Sequence, residues 1–200
     1  MNRAPALDRI RVVLSHPSHP GNIGSVARAM KTMGLSDLVV AAPREPRFMD
    51  HPQARALASG AVDLLARAAS TGTLREAVAD CQLVVAVSAN PREFGPWPRL
   101  PAEVAACAIE RLDAGIVERV ALVFGTERTG LSIEEMGLCQ QLVCIPADPT
   151  YSSLNLSQAA QIVAFSLRQE VMRSTRGAGD GVSSSGTSPG PTTACGKTFS

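Results

Sequence analysis

Three stretches of the chain gather side chains able to do chemistry, and each sits at a turn or a helix end. The first is G-N-I-G-S-V-A-R-A-M-K-T-M-G, Gly21 to Gly34. Asn22 is placed to cap a helix N-terminus, and Gly34 to close the same helix in the left-handed conformation. Ile23, Val26, Ala27 and Met30 repeat at the spacing of a buried face, which leaves Ser25, Arg28 and Thr32 on an offset stripe. A guanidinium beside a positive helix end makes a phosphate site. The same spacing also describes a solvated arginine on a surface helix, and spacing alone does not separate the two. The second stretch, L-V-F-G-T-E-R-T-G-L-S, Leu122 to Ser132, runs a strand into a glycine-flanked turn that holds Glu127. Gly125 lets a ligand approach the backbone, and the carboxylate accepts from N–H or hydroxyl donors. This is neither a Walker phosphate loop nor a dinucleotide fingerprint, and an acid repels polyphosphate. The turn therefore suits a polar uncharged or cationic ligand. The third stretch, C-I-P-A-D-P-T-Y-S-S-L-N-L-S-Q-A, Cys144 to Ala159, carries Ser152, Ser153, Asn155 and Ser157. Asn155 or Ser153 alone would cap the helix that follows, so four such side chains point to hydrogen-bonding work beyond capping.

Other reactive arrangements have little support. His16 and His19 form an H-x-x-H, but each precedes a proline in a loop and no carboxylate pair accompanies them, so no metal site is expected. No G-x-S-x-G elbow and no Cys–His pair at catalytic spacing is present. Trp97, the only tryptophan, lies in F-G-P-W-P and reads as a loop anchor packed on the domain.

The elements that must position these residues alternate. Short apolar runs at Ile10–Leu14, Leu38–Ala41, Leu83–Val87, Val120–Phe124 and Leu142–Ile145 read as strands buried on both faces of a parallel sheet. Helical patterns cover Ile23–Met33, Pro52–Ala68 (broken near Gly60), Leu74–Asp80, Ala102–Leu112, Ile133–Gln140 and Leu156–Met172. The class is α/β, with helices on both faces. Ligands gather at the carboxyl ends of such strands, which is where the unusual loops lie, including S-A-N-P-R-E-F-G-P-W-P after Val87.

Two hundred residues with 45% hydrophobic content suffice for one domain with a sizeable core and not for two. The folded unit is expected from Leu7 to Arg173. Residues from Ser174 to Ser200, rich in Gly, Ser, Thr and Pro, cannot bury enough apolar area to offset their chain entropy and read as a disordered tail. Nineteen Lys and Arg against 18 Asp and Glu give +1, so the chain as a whole is not a polybasic nucleic-acid binder, although a local basic surface is open to it. That surface would be arginine, since Lys31 and Lys197 are the only lysines and arginine suits phosphate forks. No apolar run reaches the length of a membrane span, and no signal-peptide segment opens the chain. Five scattered cysteines without a C-x-x-C pair predict reduced thiols and a cytoplasmic protein.

The three stretches, in this order, resemble the signature of the SpoU branch of the SPOUT methyltransferases: N-x-G-x-x-x-R, F-G-x-E-x-x-G-L and I-P…S-L-N-x-S. The resemblance runs from about Arg9 to Met172. Within the branch, S-H-P-G-N-I-G-S-V-A-R-A-M-K-T-M-G-L and Y-S-S-L-N-L are most similar to the tRNA (cytidine/uridine-2′-O-)-methyltransferases. The resemblance implies transfer of a methyl group from S-adenosylmethionine to a ribose 2′-hydroxyl at anticodon-loop position 32 of tRNA. It further implies a C-terminal trefoil knot and a homodimer, and the residues themselves lead to no metal and no membrane partner being expected. Carried over by motif, the cofactor contacts fall on Val87, Ser88, Ala89, Gly125, Ile145, Ser152, Ser153 and Leu154. The catalytic set falls on Arg28 and Ser153 with Asn22, Glu127 and Asn155. Arg28 is then either the proton acceptor or the anchor for a phosphate and the charge on oxygen. Two departures bear on the RNA target: Thr126 stands where that group often has arginine, and only the Gly/Ser/Thr/Pro tail stands where it usually carries a further extension. Methylation of ribosomal RNA or of another tRNA position, and a non-catalytic RNA-binding module, are the alternatives.

From Gly177 onward the tail holds one acid, Asp180, and one base, Lys197. Deleting it from about Gly177 is expected to leave the melting temperature and dimerisation unchanged and tRNA methylation near the full-length rate, since it adds neither core nor net charge. RNA contact would then fall to arginines of the folded unit, with Arg3, Arg9, Arg11, Arg44 and Arg47 the N-terminal contributors. A large drop in tRNA affinity on truncation would assign the tail a binding role instead.

Overall fold

The computed structural model describes residues 5–89 and 96–177. Seven parallel strands form one sheet: β1 (Ile10–Ser15), β2 (Asp37–Ala41), β3 (Ala69–Thr71), β4 (Leu83–Ser88), β5 (Pro98–Arg99), β6 (Val120–Phe124) and β7 (Gln141–Cys144), in the order β3-β2-β1-β6-β4-β7-β5. All five expected strands are present. β3 and β5 were not anticipated because edge strands of two or three residues, with Ala69 and Ser70 exposed, leave no apolar run to read.

Alternation along the strands divides the core. Ile10, Val12 and Leu14 of β1, with Leu122 and Phe124 of β6, face one cluster, while Val13, Ala121 and Val123 face another. Both sets are buried, which is why these strands read as continuous apolar runs. The larger cluster is covered by α1 (Pro5–Asp8), α2 (Pro20–Met33), α3 (Pro52–Ala58), α4 (Val62–Ala66), α6 (Pro101–Asp113) and α8 (Leu156–Gly177). Two short helices, α5 (Leu74–Ala77) and α7 (Ile133–Met136), cover the smaller one. A 3₁₀ turn over Ser59–Ala61 supplies the expected break at Gly60 between α3 and α4. α8 continues past residue 174, where the tail was expected to begin; the rest of that segment, 178–200, lies outside the described residues.

α2 carries the first motif and begins earlier than its sequence suggests. Pro20 occupies the first turn and His19 the N-cap position, with no side-chain cap of its own. Proline suits that position because its missing N–H would have no partner there. Asn22 is therefore inside the first turn and is not the cap. Gly34 closes the helix at φ 88°, as expected, with backbone bonds from Gly34 to Lys31 and from Leu35 to Met30. α2 lies so close to α3 that a Cβ on Gly24 would stand 2.0 Å from the carbonyl oxygen of Ala54.

The amino ends of the strands are tied by charge. Arg11 bonds Asp37 (3.0 Å) and Asp80 (2.5 Å), and Arg119 bonds the same Asp37 oxygen (2.8 Å). Arg9 lies 3.9 Å from Asp113. Arg11, with its side chain 14% exposed, is thus committed to holding β1, β2 and the start of β4 together. It is not a free RNA contact as expected, and Arg3 lies outside the described residues.

Gly24→Ala is expected to force α2 off α3 and lower stability by about 1–3 kcal/mol or more in urea unfolding. Gly60→Ala, whose Cβ would meet nothing within 4 Å, is expected to be neutral or stabilising by up to about 1 kcal/mol. Equal effects at the two positions would contradict the close approach.

Candidate active site

Loops leaving β4, β6 and β7 enclose a cavity of about 300 Å³ at the carboxyl edge of the sheet. Val87, Ser88 and Ala89 come from the first loop, Gly125 from the second, and Ile145, Ser152, Ser153 and Leu154 from the third. Every residue expected to touch a cofactor therefore lines this one space. Phe124, Leu156 and Ala159 add apolar wall, and Glu127 and Arg128 stand at its polar side. The stretch 90–95 of the first loop lies outside the described residues.

Gly125 is required for a reason the sequence does not show. A Cβ there would lie 2.2 Å from the carbonyl carbon of Gly130. The close approach is the turn's own backbone, which folds back through a two-way bridge between Thr126 and Gly130. Gly130 itself sits at φ 68°.

Glu127 faces inward along the same turn, and both its oxygens are occupied. One accepts from the Ser18 N–H (2.9 Å); the other accepts from the His19 N–H (3.3 Å) and the Asn22 side-chain amide (2.9 Å). The Glu127 carboxylate thus supplies, from the second motif, the anionic cap that α2 lacks locally. Asn22 in turn accepts from the Asn155 amide (3.2 Å), and the Asn155 carbonyl caps α8 through the Ser157 N–H (2.9 Å) and hydroxyl (2.7 Å). Asn155, not Ser153, is the cap. Asn22, Glu127 and Asn155 form one chain of hydrogen bonds joining the three motifs. Burial alone would raise the pKa of Glu127, but the bonds from Asn22 and Ser18 outweigh it and hold the carboxyl below its ordinary value.

Arg28 stands outside the cavity. Exposed on α2, it lines a second, more open groove of about 650 Å³ with Ser25, Thr32, Leu57, Ser157 and Ile162. The groove and the cavity share Leu154. The stripe of Ser25, Arg28 and Thr32 is one wall of this groove, and Ser153 faces the cavity across Leu154 from it.

Two further residues escaped the sequence reading. Ser15, buried at the end of β1, donates to Glu135, which also accepts from the Ser132 N–H (2.6 Å). The S-x-x-E of Ser132 and Glu135 is a readable capping box, but its reach to β1 is a tertiary contact. Trp97 is 89% exposed, so it does not anchor its loop on the domain as expected. Among the described residues there is no cluster of three or more potential metal ligands, and no helix is long and apolar enough to cross a membrane.

The fold and the three motifs together define a methyltransferase family. The chain belongs to the SpoU rRNA Methylase family, matched over residues 9–165. It is 50% identical over 163 residues to the tRNA (cytidine/uridine/adenosine-2′-O-)-methyltransferase TrmJ of Pseudomonas aeruginosa, covering 81% of this chain and 61% of that one. A crystal structure of a probable methyltransferase from Bordetella pertussis shares 47% identity at a TM-score of 0.80, over 84% of this chain and 99% of that chain. The crystal structure of TrmJ from Z. mobilis shares 35% identity at a TM-score of 0.72, over 80% and 69% of the two chains. The chain spans 61–65% of the length of curated relatives that it matches.

Glu127→Gln replaces one acceptor oxygen by a donor facing N–H groups and is expected to cost about 1–3 kcal/mol of stability near neutral pH. The lowered pKa makes the native contribution of Glu127 fully present above its ordinary carboxylate range and lost as pH falls through the lower folded value. The stability gap between wild type and variant, from urea unfolding at roughly pH 7 and roughly pH 3, is therefore expected to narrow with acid. A gap that stays constant would mean the carboxylate is not anionic in this contact.

Proposed function

We propose that this chain is an S-adenosylmethionine-dependent RNA 2′-O-methyltransferase acting on tRNA, with the pyrimidine at anticodon-loop position 32 as its target. The observation that carries the proposal is the placement of Arg28 and Ser153 on either side of Leu154, one in an open groove and one in the walled cavity. A small molecule in the cavity and a chain substrate in the groove would meet there. The names of the TrmJ relatives support tRNA as that substrate.

The cavity fits the cofactor by its chemistry. Val87, Ile145, Leu154 and Leu156 offer apolar faces to a planar base, and strand ends offer backbone polar groups where the ladder stops. Among the described residues, Arg128 is the only basic side chain that lines the space, which is not a cluster for a polyphosphate. When bound, S-adenosylmethionine supplies an electrophilic methyl group on a sulfonium sulfur. Transfer would require the ribose 2′-hydroxyl to be held against that methyl group and to give its proton to an RNA phosphate or to water, the cofactor leaving as a neutral thioether. Ser153 holds the ribose hydroxyl at the cavity. Arg28 fixes an adjacent phosphate and stabilises charge growing on the oxygen, with a guanidinium that offers five donors and no acceptor. Asn22, Glu127 and Asn155 act as positioning residues that hold the starts of α2 and α8 in register. The apolar wall excludes water from the reacting atoms.

The finer features implied by the family fit this reading. β7 lies between β4 and β5, two strands adjacent in sequence, so the last strand of the chain is inserted between earlier ones; this order supports the C-terminal knot. Leu57 and Ile162 at the rim of the Arg28 groove, with Phe165 one turn further along α8, are exposed, which supports a homodimer assembled on this face. A cytoplasmic site of action follows from the tRNA substrate.

Calorimetry with S-adenosylmethionine and transfer assays on tRNA test the assignment. Arg28→Ala is expected to lower transfer by at least about 10²–10³-fold while leaving cofactor affinity within a few-fold. Arg28→Lys is expected not to rescue it, because an ammonium lacks the guanidinium fork. Loss of most cofactor affinity in Arg28→Ala would contradict the role given to Arg28, and absence of cofactor binding by folded wild type would contradict the function.

A further inference from the structure

Seven arginines of this chain sort by the edge of the sheet they occupy. At the amino edge, Arg9, Arg11 and Arg119 lie against Asp113, Asp37 and Asp80, and Arg67, just before β3, pairs with Asp63. At the carboxyl edge, Arg44 and Arg47 follow β2 and Arg128 follows β6. All three are exposed, and none has an ion-pair partner among the described residues. Of these seven, the four on the edge away from the cavity are neutralised and the three beside it are open.

The loop that carries Arg44 and Arg47 is fixed in place. Ala42, at φ 46°, bonds its N–H to the Thr71 carbonyl (2.8 Å), and Phe48 is fully buried. Successive turns bond Phe48 to Glu45 and Asp50 to Arg47 (3.1 Å each). Glu45 folds back to accept the Arg47 N–H (3.1 Å) rather than either guanidinium. The Arg44 N–H points to the carbonyl of Pro17 (3.5 Å), whose neighbour Ser18 donates to Glu127 in the cavity wall. β2, β1 and β6 are consecutive in the sheet, so the two loops leave it two strand spacings apart, about 10 Å.

We propose that Arg44 and Arg47 form a phosphate-binding station for the RNA strand flanking the target nucleotide, with Arg128 continuing it to the rim of the cavity. The proposal rests on the RNA-methyltransferase reading above. Guanidinium forks match phosphate oxygens, and such contacts set the register of a nucleic acid without reading its sequence. The loop is held by backbone bonds and a buried phenylalanine, so the two guanidiniums are presented without a further ordering of the chain.

The test measures binding of an unmodified tRNA transcript to the full-length protein by fluorescence anisotropy across a salt series. S-adenosylmethionine affinity is measured in parallel by calorimetry. Arg44→Gln combined with Arg47→Gln is expected to weaken tRNA binding roughly 10-fold or more and to flatten the log–log salt slope by about 1.4–1.8, the loss of two phosphate contacts. Cofactor affinity and melting temperature are expected to be unchanged. Arg67→Gln, the same charge change on an exposed arginine at the amino edge, is expected to stay within about twofold of wild type in affinity, since the contact it loses is a surface ion pair. A double variant with wild-type affinity and slope, or an Arg67→Gln variant that falls as far, would overturn the station while leaving the functional reading intact. Wild-type protein that takes up the cofactor but binds no tRNA at any salt would overturn both.

Discussion

The carboxylate of Glu127 holds the three motifs in one place. Its two oxygens receive N–H groups from Ser18, His19 and Asn22, and Asn22 passes the connection on to Asn155. α2 begins with a proline and a histidine that supplies no cap, so the helix carrying Arg28 takes its N-terminal anion from a turn more than a hundred residues away. A charged acceptor suits this position because it interacts favourably with the helix end and satisfies several donors at once. Glu135 repeats the device one turn further on, bracing Ser15 at the end of β1. The loop between β1 and α2 is therefore clamped by two carboxylates of a single segment.

Such a clamp explains how a site made of loops can be well defined. Val87 to Ala89, Gly125, and Ile145 to Leu154 belong to separate connections, yet each leaves a strand that lies beside another in the sheet. The sheet fixes where the loops start, and the bonds among Glu127, Asn22 and Asn155 fix how α2 and α8 approach them. Arg28 then has a set place along a groove that shares Leu154 with the cavity. The charge distribution reinforces the division of labour, with paired arginines securing the amino edge and unpaired ones facing outward beside the cavity.

Much of the scaffold was legible because it depends on local patterning. Continuous apolar runs marked β1, β2, β4, β6 and β7, and the spacing of Ile23, Val26, Ala27 and Met30 marked the buried side of α2 and placed Arg28 off it. What failed was nonlocal. Asn22 is a good cap candidate by type, but a carboxylate from elsewhere took that role and drew Asn22 into a bridge. Gly125 looked like room for a ligand and is room for the turn's own backbone. Arg11 looked like any surface arginine until Asp37 and Asp80 were brought beside it. The cavity residues themselves came from resemblance to a family; nothing in the periodicity of the chain joins Ala89 to Leu154.

The most direct test of the account is to incubate the purified full-length protein with S-adenosylmethionine and tRNA transcripts and to map the products by nuclease digestion and mass spectrometry. The account predicts a single added methyl group on the ribose 2′-oxygen of the pyrimidine at position 32. Methylation of a base, or no transfer to any RNA by folded protein that binds the cofactor, would contradict it.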